Sequence, residues 1–335
     1  MKDRTYPEFS TNYPLLLTTF MKRPVKIYPH EIGIVYRNQS TGEYQRFTWL
    51  EWYKRTCRLA NALKTLGVKA GKPGEPGDRV ATIALNTHRH LELYYAAPCI
   101  GAMLHPINVR LASEHIIYTI NHAEDKVIFF DDLLLPMMER IYDQIKDKVE
   151  KFVYLSDKPG LPQTKIKPLY EYEALLRAES DKFEWPYLHE DTYATLCYTT
   201  ATTGLPKGAM FTHRALYLQT IHLFTYAFFS NDPKAKYLGE NTVPMMTTPL
   251  FHIHAWCQPF LYVFAGQKIV LPGMFTVDGF CELVQTEKVT TVSVVPTILA
   301  LLLEYKDLDK YDLNSLISVG VGGGAGDDDV LPGGV

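Results

Sequence analysis

Apolar residues along the chain fall into two alternating rhythms. Ile32 to Tyr36 and Tyr44 to Phe47 read as strands around the polar turn 38–42. Thr48 followed three residues later by Glu51 is a capping-box pair, which satisfies two backbone donors at a helix start. Tyr53, Cys57, Ala60, Leu63 and Leu66 then recur at helical spacing, flanked by Trp52 and Leu59, until Gly67 stops the helix. A Gly/Pro-rich loop covers 69–78. Beyond it the pattern predicts strand 80–85, helix 89–100, strand 103–105, helix 113–122, strand 126–130, a helix reaching 148, and strand 152–155. Residues 156–190 are polar and Pro-rich and read as a surface connection.

From 192 the alternation resumes. The pattern predicts strand 192–199, a long helix 212–229, a short strand 244–249 and a helix 253–264 kinked at Pro259. Strand 268–271, helix 278–287 and strand 290–295 follow, then a helix opening at Pro296, where proline suits the first turn. Residues 313–319 lead into a last strand. Strands that are apolar throughout and separated by helices predict an α/β fold, with mostly parallel sheets covered by helices on both faces. The length of 335 residues suits two such units. The expected division is 1–190, 191–325 and an atypical Gly/Asp tail at 326–335 that has lost all periodicity.

Composition narrows the possibilities. Apolar residues at 47% and charged residues at 21% exclude a disordered, collagenous or coiled-coil chain. A net charge of −3 leaves no bulk basic excess for binding nucleic acid. Cys57, Cys99, Cys197, Cys257 and Cys281 are odd in number, far apart and mostly in apolar context, so they read as reduced buried thiols. The longest apolar run, 292–303, is about 12 residues, against about 20 for a membrane span. The expectation is a cytoplasmic protein without a membrane span, and no oligomeric state is set by the sequence.

The chemistry concentrates in residues 198–208, YTTATTGLPKG. Thr199, Thr200, Thr202 and Thr203 supply hydroxyls, and Ala201 stands between them. Gly204 permits a positive φ, and Lys207 adds a compact cation. Hydroxyls, backbone amides and one lysine are what polyphosphate oxygens need. The loop is expected to follow a strand and precede a helix, which suits anion binding. The Walker A spacing is absent. A Thr-rich surface turn is the alternative.

This segment resembles the phosphate-loop signature of the adenylate-forming superfamily, which includes acyl-CoA synthetases, adenylation domains and luciferases. Ala201 stands where the family usually has glycine. If that backbone needs φ > 0, alanine costs about 1 kcal/mol. Residues 249–256, PLFHIHAW, resemble a second family block in the form seen in medium- and long-chain fatty-acyl-CoA synthetases. The resemblance implies that His252 lies near the acyl–phosphate junction and Trp256 beside the acyl tunnel. On residue types alone, His252 and His254 are also spaced as a metal pair on one strand face, His254 reads as a packed core histidine, and Trp256 as core. No metal site is assigned. Val295-Pro296-Thr297 with Gly324 and Ala325 resembles the strand and turn lining the adenine and acyl pocket. Asn86 reads as a helix cap, with His88 and His90 as surface or junction residues and no functional role.

The resemblance implies the large N-terminal lobe of such an enzyme, with ATP, Mg2+ and coenzyme A as reactants or cofactors and a fatty or other apolar carboxylate as partner. The implied function is a fatty-acid–CoA ligase. The family's later blocks have no counterpart in these residues: a magnesium-binding glutamate, a ribose-binding aspartate, and a small domain with a catalytic lysine. Little or no full ligase activity is therefore expected, and a non-catalytic ATP- or fatty-acid-binding fragment is the alternative. Gly320, Gly322 and Ala325 also mimic a dinucleotide fingerprint, so a nicotinamide-dependent oxidoreductase is a distant alternative. Asp327, Asp328 and Asp329 read as a solvated acidic tail.

Overall fold

The computed structural model describes residues 13–199, 204–229, 238, 239 and 241–322. The chain opens with α1 (Thr18–Ile27), the hairpin β1 (Ile32–Arg37) and β2 (Tyr44–Thr48), and α2 (Trp49–Thr65). The capping box at the start of α2 is formed as expected. Glu51 N–H donates to the Thr48 hydroxyl and Thr48 N–H to the Glu51 carboxylate. β3 (Arg79–Ile83), α3 (His88–Cys99), β4 (Met103–Pro106), α4 (Ser113–Ala123), β5 (Asp125–Asp131), α5 (Leu135–Ile141) and β6 (Lys151–Leu155) follow. The helix expected to reach 148 stops at Ile141, where the chain tightens into a 3-10 turn over Tyr142–Gln144.

The stretch expected to be an irregular connection contains β7 (Leu169–Glu171) and α6 (Tyr172–Arg177). β7 pairs with β6, so its backbone is satisfied at the sheet edge with only three residues to show in the sequence. Next come β8 (Tyr193–Tyr198), β9 (Gly208–Thr212), α7 (His213–Phe229), β10 (Pro244–Met245), and a single turn α8 (Ile253–Trp256). α9 (Gln258–Ala265), β11 (Ile269–Leu271), α10 (Val277–Glu287), β12 (Thr291–Val294), α11 (Pro296–Leu303) and β13 (Ser318–Val321) complete it. Pro259 does not kink a continuous helix. It sits in the first turn of α9, after a break at Cys257.

The strands form two sheets, mostly parallel: β7-β6-β5-β3-β4-β8-β9 and β13-β12-β10-β11-β1-β2. Only the β1–β2 and β8–β9 pairs are antiparallel. A boundary at 190 does not follow the sheets. β1 and β2 join the sheet built mainly from 244–321, and β8 and β9 join the sheet built mainly from 79–171. Between the sheets lies a large apolar core where Ile34 and Tyr36 of one face Val80, Leu104 and Phe129 of the other through α1, α2, α3 and α9. The outer face of the first sheet packs on α4 and α5. The outer face of the second packs on α10 and α11. Helices therefore cover both faces of each sheet, as the continuous apolar strands require. All five cysteines are free. Among the described residues no helix is long and apolar enough to cross a membrane.

Candidate active site

The carboxyl ends of parallel strands are where open α/β sheets leave a crevice for ligands. Here β3, β8, β10, β11 and β12 all end at one junction between the two sheets. Asn86, just after β3, fastens it. Its side-chain amide donates to the carbonyls of Met246 (2.6 Å) and Thr248 (2.8 Å), and its Oδ1 accepts from Leu250 N–H (2.9 Å). Its own carbonyl accepts from Gly273 N–H at 3.0 Å. Asn86 is thus not the cap of α3. Thr87 fills that place, accepting from His90 N–H. His88 and His90, expected as surface or junction residues, are both fully buried. Nothing local in the sequence distinguishes an asparagine that caps from one that clamps a segment 160 residues away.

The strands on either side of the Thr-rich segment form a hairpin. β8 and β9 pair antiparallel, and at its mouth Thr199 N–H donates to the Lys207 carbonyl (3.0 Å) while Lys207 N–H donates to the Thr199 hydroxyl (3.3 Å). The expected strand–loop–helix order is therefore corrected. β9 intervenes before α7, so no helix N-terminus stands directly behind the loop. The short apolar run 208–212 was the available signal for this strand. Gly204 has φ +91°, a conformation that disfavours any side chain. Lys207 is exposed and forms no ion pair with a described residue. Thr200, Ala201, Thr202 and Thr203 lie outside the described residues, as do Gly324, Ala325 and the tail.

Opposite the hairpin, α8 is left-handed. φ is 42° at Ile253, 53° at His254, 46° at Ala255, 57° at Trp256 and 64° at Cys257. This winding turns alternate side chains in opposite directions. His254 is buried, while His252 and Trp256 are exposed, Trp256 at 59%. Both nitrogens of His254 are engaged. The Tyr94 hydroxyl donates to the Leu250 carbonyl, so its oxygen accepts from His254 Nδ1 (3.2 Å), leaving Nε2 to accept from the Cys197 thiol (3.1 Å). Burial pushes the His254 imidazole down to about 3 and the Cys197 thiol up to about 12. Cys197 is thus a packed thiol, and His254 is a neutral bridge with no free nitrogen for a metal.

That bridge brings the two motifs together. Cys197 lies on β8, two residues before Thr199, and Phe211 of β9 packs its ring against His254 at 5.7 Å between centroids. The β8–β9 hairpin and the turn bearing His252 and Trp256 therefore share one buried imidazole. The Thr248 hydroxyl donates to the Ser293 carbonyl at 3.2 Å, and the Thr247 hydroxyl donates to the same oxygen. Both fix this segment against the end of β12, next to Val295 and Pro296. Gly320 lies within β13, paired with Ser293, rather than in a strand-to-helix turn where a dinucleotide fingerprint needs it. Among the described residues no group of three His, Cys, Asp or Glu could hold a metal ion. The Thr199 hydroxyl and the Lys207 ammonium suit phosphate rather than Mg2+.

Residues 21–331 match the family described as AMP-binding enzyme. The chain is 37% identical over 321 residues to a long-chain-fatty-acid–CoA ligase of Thermus thermophilus, covering 96% of this chain and 55% of that protein. It is 37% identical over 289 residues to a medium-chain-fatty-acid–CoA ligase of Ectopseudomonas oleovorans, covering 86% and 50%. It is 35% identical over 313 residues to a 3-methylmercaptopropionyl-CoA ligase of Ruegeria lacuscaerulensis, covering 93% and 55%. The chain thus spans about half the length of the curated relatives it matches. A luciferase from Phrixothrix hirtus superposes with a TM-score of 0.75 at 20% identity, covering 95% of this chain and 58% of that one. The N-terminal domain of FACL13 from Mycobacterium tuberculosis gives 0.73 at 21%, covering 94% and 71%. These likenesses establish the fold as that of an N-terminal lobe.

Proposed function

Because the chain belongs to the AMP-binding enzyme family, we propose that it binds ATP and a fatty or other apolar carboxylate and takes part in converting the acid to its CoA thioester. One observation carries this reading: the hairpin closed by Thr199 and Lys207 and the turn bearing His252 and Trp256 meet on the same buried histidine. A site for an acid beside a site for polyphosphate is what the chemistry needs.

In this reaction a carboxylate oxygen attacks the α-phosphorus of ATP. The acyl–O–P bond of acyl-AMP forms, and the bond to pyrophosphate breaks. The thiol of coenzyme A then adds at the acyl carbon, AMP leaves with the C–O bonding electrons, and the thiol proton passes to solvent. The first step brings an anion toward a polyanion, so positioning and charge neutralisation dominate. In our reading the Thr199 hydroxyl, the loop hydroxyls of Thr200, Thr202 and Thr203, and the backbone at Ala201 and Gly204 grip the terminal phosphates. Lys207 supplies the positive charge. His252 stands at the acyl–phosphate junction, Trp256 lies along the acyl chain, and Gly324 and Ala325 line the adenylate pocket. Magnesium, when bound to the nucleotide, shields phosphate charge, and coenzyme A supplies the accepting thiol.

The relatives' names favour a fatty acid, and the exposed Trp256 suits an apolar chain. A second reading is a lobe that binds ATP and the acid without full ligase turnover. Carboxylate-dependent ATP–pyrophosphate exchange, with acids from acetate to palmitate, tests both. Exchange that peaks at one chain length and falls about 10²-fold or more in Lys207→Ala supports adenylation. ATP binding that weakens in Lys207→Ala without any exchange supports the second reading. Wild-type affinity for ATP in Lys207→Ala would overturn the assignment of the loop.

A further inference from the structure

A second cleft, of about 480 Å³, opens where β2, the start of α3, the end of β6 and the end of α6 meet. It shares no residue with the hairpin or with the His252 turn. A bond-by-bond count shows what its lining still lacks. Two of the three acids in its lining are consumed within the chain, and the third, Glu171, stands 3.8 Å from Arg177. Asp157 accepts from Arg89 Nη1 (2.8 Å), the Tyr36 hydroxyl (2.8 Å) and Gln39 N–H (2.7 Å). Glu173 accepts from Arg55 twice (3.0 Å each) and from Arg89 Nε at 2.8 Å.

The donors are not consumed. Nη2 of Arg89, a side chain 6% exposed, donates to no described residue. The Lys158 ammonium, at the rim, has no partner among the described residues. Arg177 makes one loose contact, 3.8 Å from Glu171. His88, 1% exposed, lines the cleft with an Nδ1 that has no hydrogen-bond partner. Its burial holds it neutral, well below the usual imidazole range, so it brings no charge of its own to the cleft. The unused capacity is therefore cationic and donor-rich, and it converges from α3, from the segment after β6 and from α6. A buried polar group without a partner costs free energy unless something satisfies it.

We propose that this cleft binds a phosphate monoester. A tetrahedral dianion presents three terminal oxygens to donors arriving from several directions, as these do, and guanidinium and ammonium groups are its usual partners. The volume leaves room for a small organic group beyond the phosphate. This site is separate from the ATP loop and does not depend on it.

The test is a calorimetric titration with glucose 6-phosphate at fixed ionic strength, with glucose as the uncharged control. Saturable binding of glucose 6-phosphate and none of glucose is expected. Lys158→Ala and Arg177→Ala, both at exposed positions, should each weaken it about tenfold. Lys207→Ala should leave it unchanged. Absence of saturation, equal binding of glucose, or affinity unchanged in both Lys158→Ala and Arg177→Ala would overturn the proposal. Loss in Lys207→Ala instead would assign the binding to the ATP loop and overturn it equally.

Discussion

Ile253 to Cys257 hold five consecutive left-handed conformations with no glycine among them. For L-residues this costs roughly 1–2 kcal/mol each, so the turn is strained by several kcal/mol. Such strain persists only where surrounding structure over-determines it. Here Asn86 and Tyr94 hold the Leu250 end, and His254 is locked between Tyr94 and Cys197. Ile253 combines a β-branched side chain with 49% exposure, so its removal sacrifices little packing. Ile253→Gly should stabilise the protein by about 1 kcal/mol, after the extra unfolded-state entropy of glycine is subtracted. The measurement is the thermal midpoint, and a lower midpoint than the parent's would show that the turn is not strained. The cleft donors and the hairpin lysine make their predictions at this same scale, through the Lys158, Arg177 and Lys207 variants.

At the scale of elements, α1 is held to the rest by few polar ties, and His213 is one of them. Its Nδ1 accepts from Leu17 N–H at 3.3 Å, so Nε2 carries the proton and donates to the Pro98 carbonyl at 3.1 Å. Burial pushes this imidazole down to about 4. The folded-state value lies below the unfolded one, so the unfolded chain takes up a proton that the folded chain refuses. The stability contribution of neutral His213 is complete above pH 6.5 and is lost as pH falls toward 4, by at most about 1.4 kcal/mol per pH unit. His213→Gln should lose less stability than the parent between pH 6.5 and 4.5 in urea melts. Parallel slopes would rule out this residue as a source of acid sensitivity.

Most elements were legible because each carries its own period. The capping box of Thr48 and Glu51, the stripe through Cys57 and Ala60, and the apolar strands 80–83 and 127–130 needed only local information. β7 and β9 were not legible, since three and five residues are too few for a period and both borrow their partners from elsewhere. The handedness of α8 was hidden for a different reason. Its residues favour ordinary helix or strand, and only tertiary contacts force φ positive. In the candidate site, the sequence marked the motif positions Thr199, Gly204, Lys207, His252 and Trp256. The site was illegible where it is a clamp, at Asn86, Tyr94, Cys197 and Phe211, because their meeting depends on which strands share a sheet.

For the whole molecule, that assignment of strands to sheets is the organising fact. Alternating strands and helices announce parallel sheets but do not say which strand joins which. Asn86 and Gly273 fasten the two sheets where β3 and β11 end, and Gly273, at φ +64°, leaves no space for a Cβ beside Gln39. Asn86→Ala would leave the carbonyls of Met246 and Thr248 and the N–H of Leu250 without partners in a buried junction. A loss of about 3 kcal/mol in chemical denaturation is expected. A loss below 1 kcal/mol would mean that water or a local shift replaces the clamp.

The interleaving of the sheets also has a consequence in time. Ile34 on β1 pairs with Phe47 on β2 on one side, and its partner on the other side is Ile269 on β11. A ribosome adding roughly 5–20 residues per second needs on the order of ten seconds or more to deliver that partner. Until then the β1–β2 ribbon has its own antiparallel bonds but an open outer edge, and Ile34 and Tyr36 have only part of their core. The β3–β6 segment can assemble in the meantime, because its strands neighbour one another in the chain. Synthesis of this protein is thus a wait, with an early ribbon left open on one side until the strands beyond residue 240 arrive to close over it.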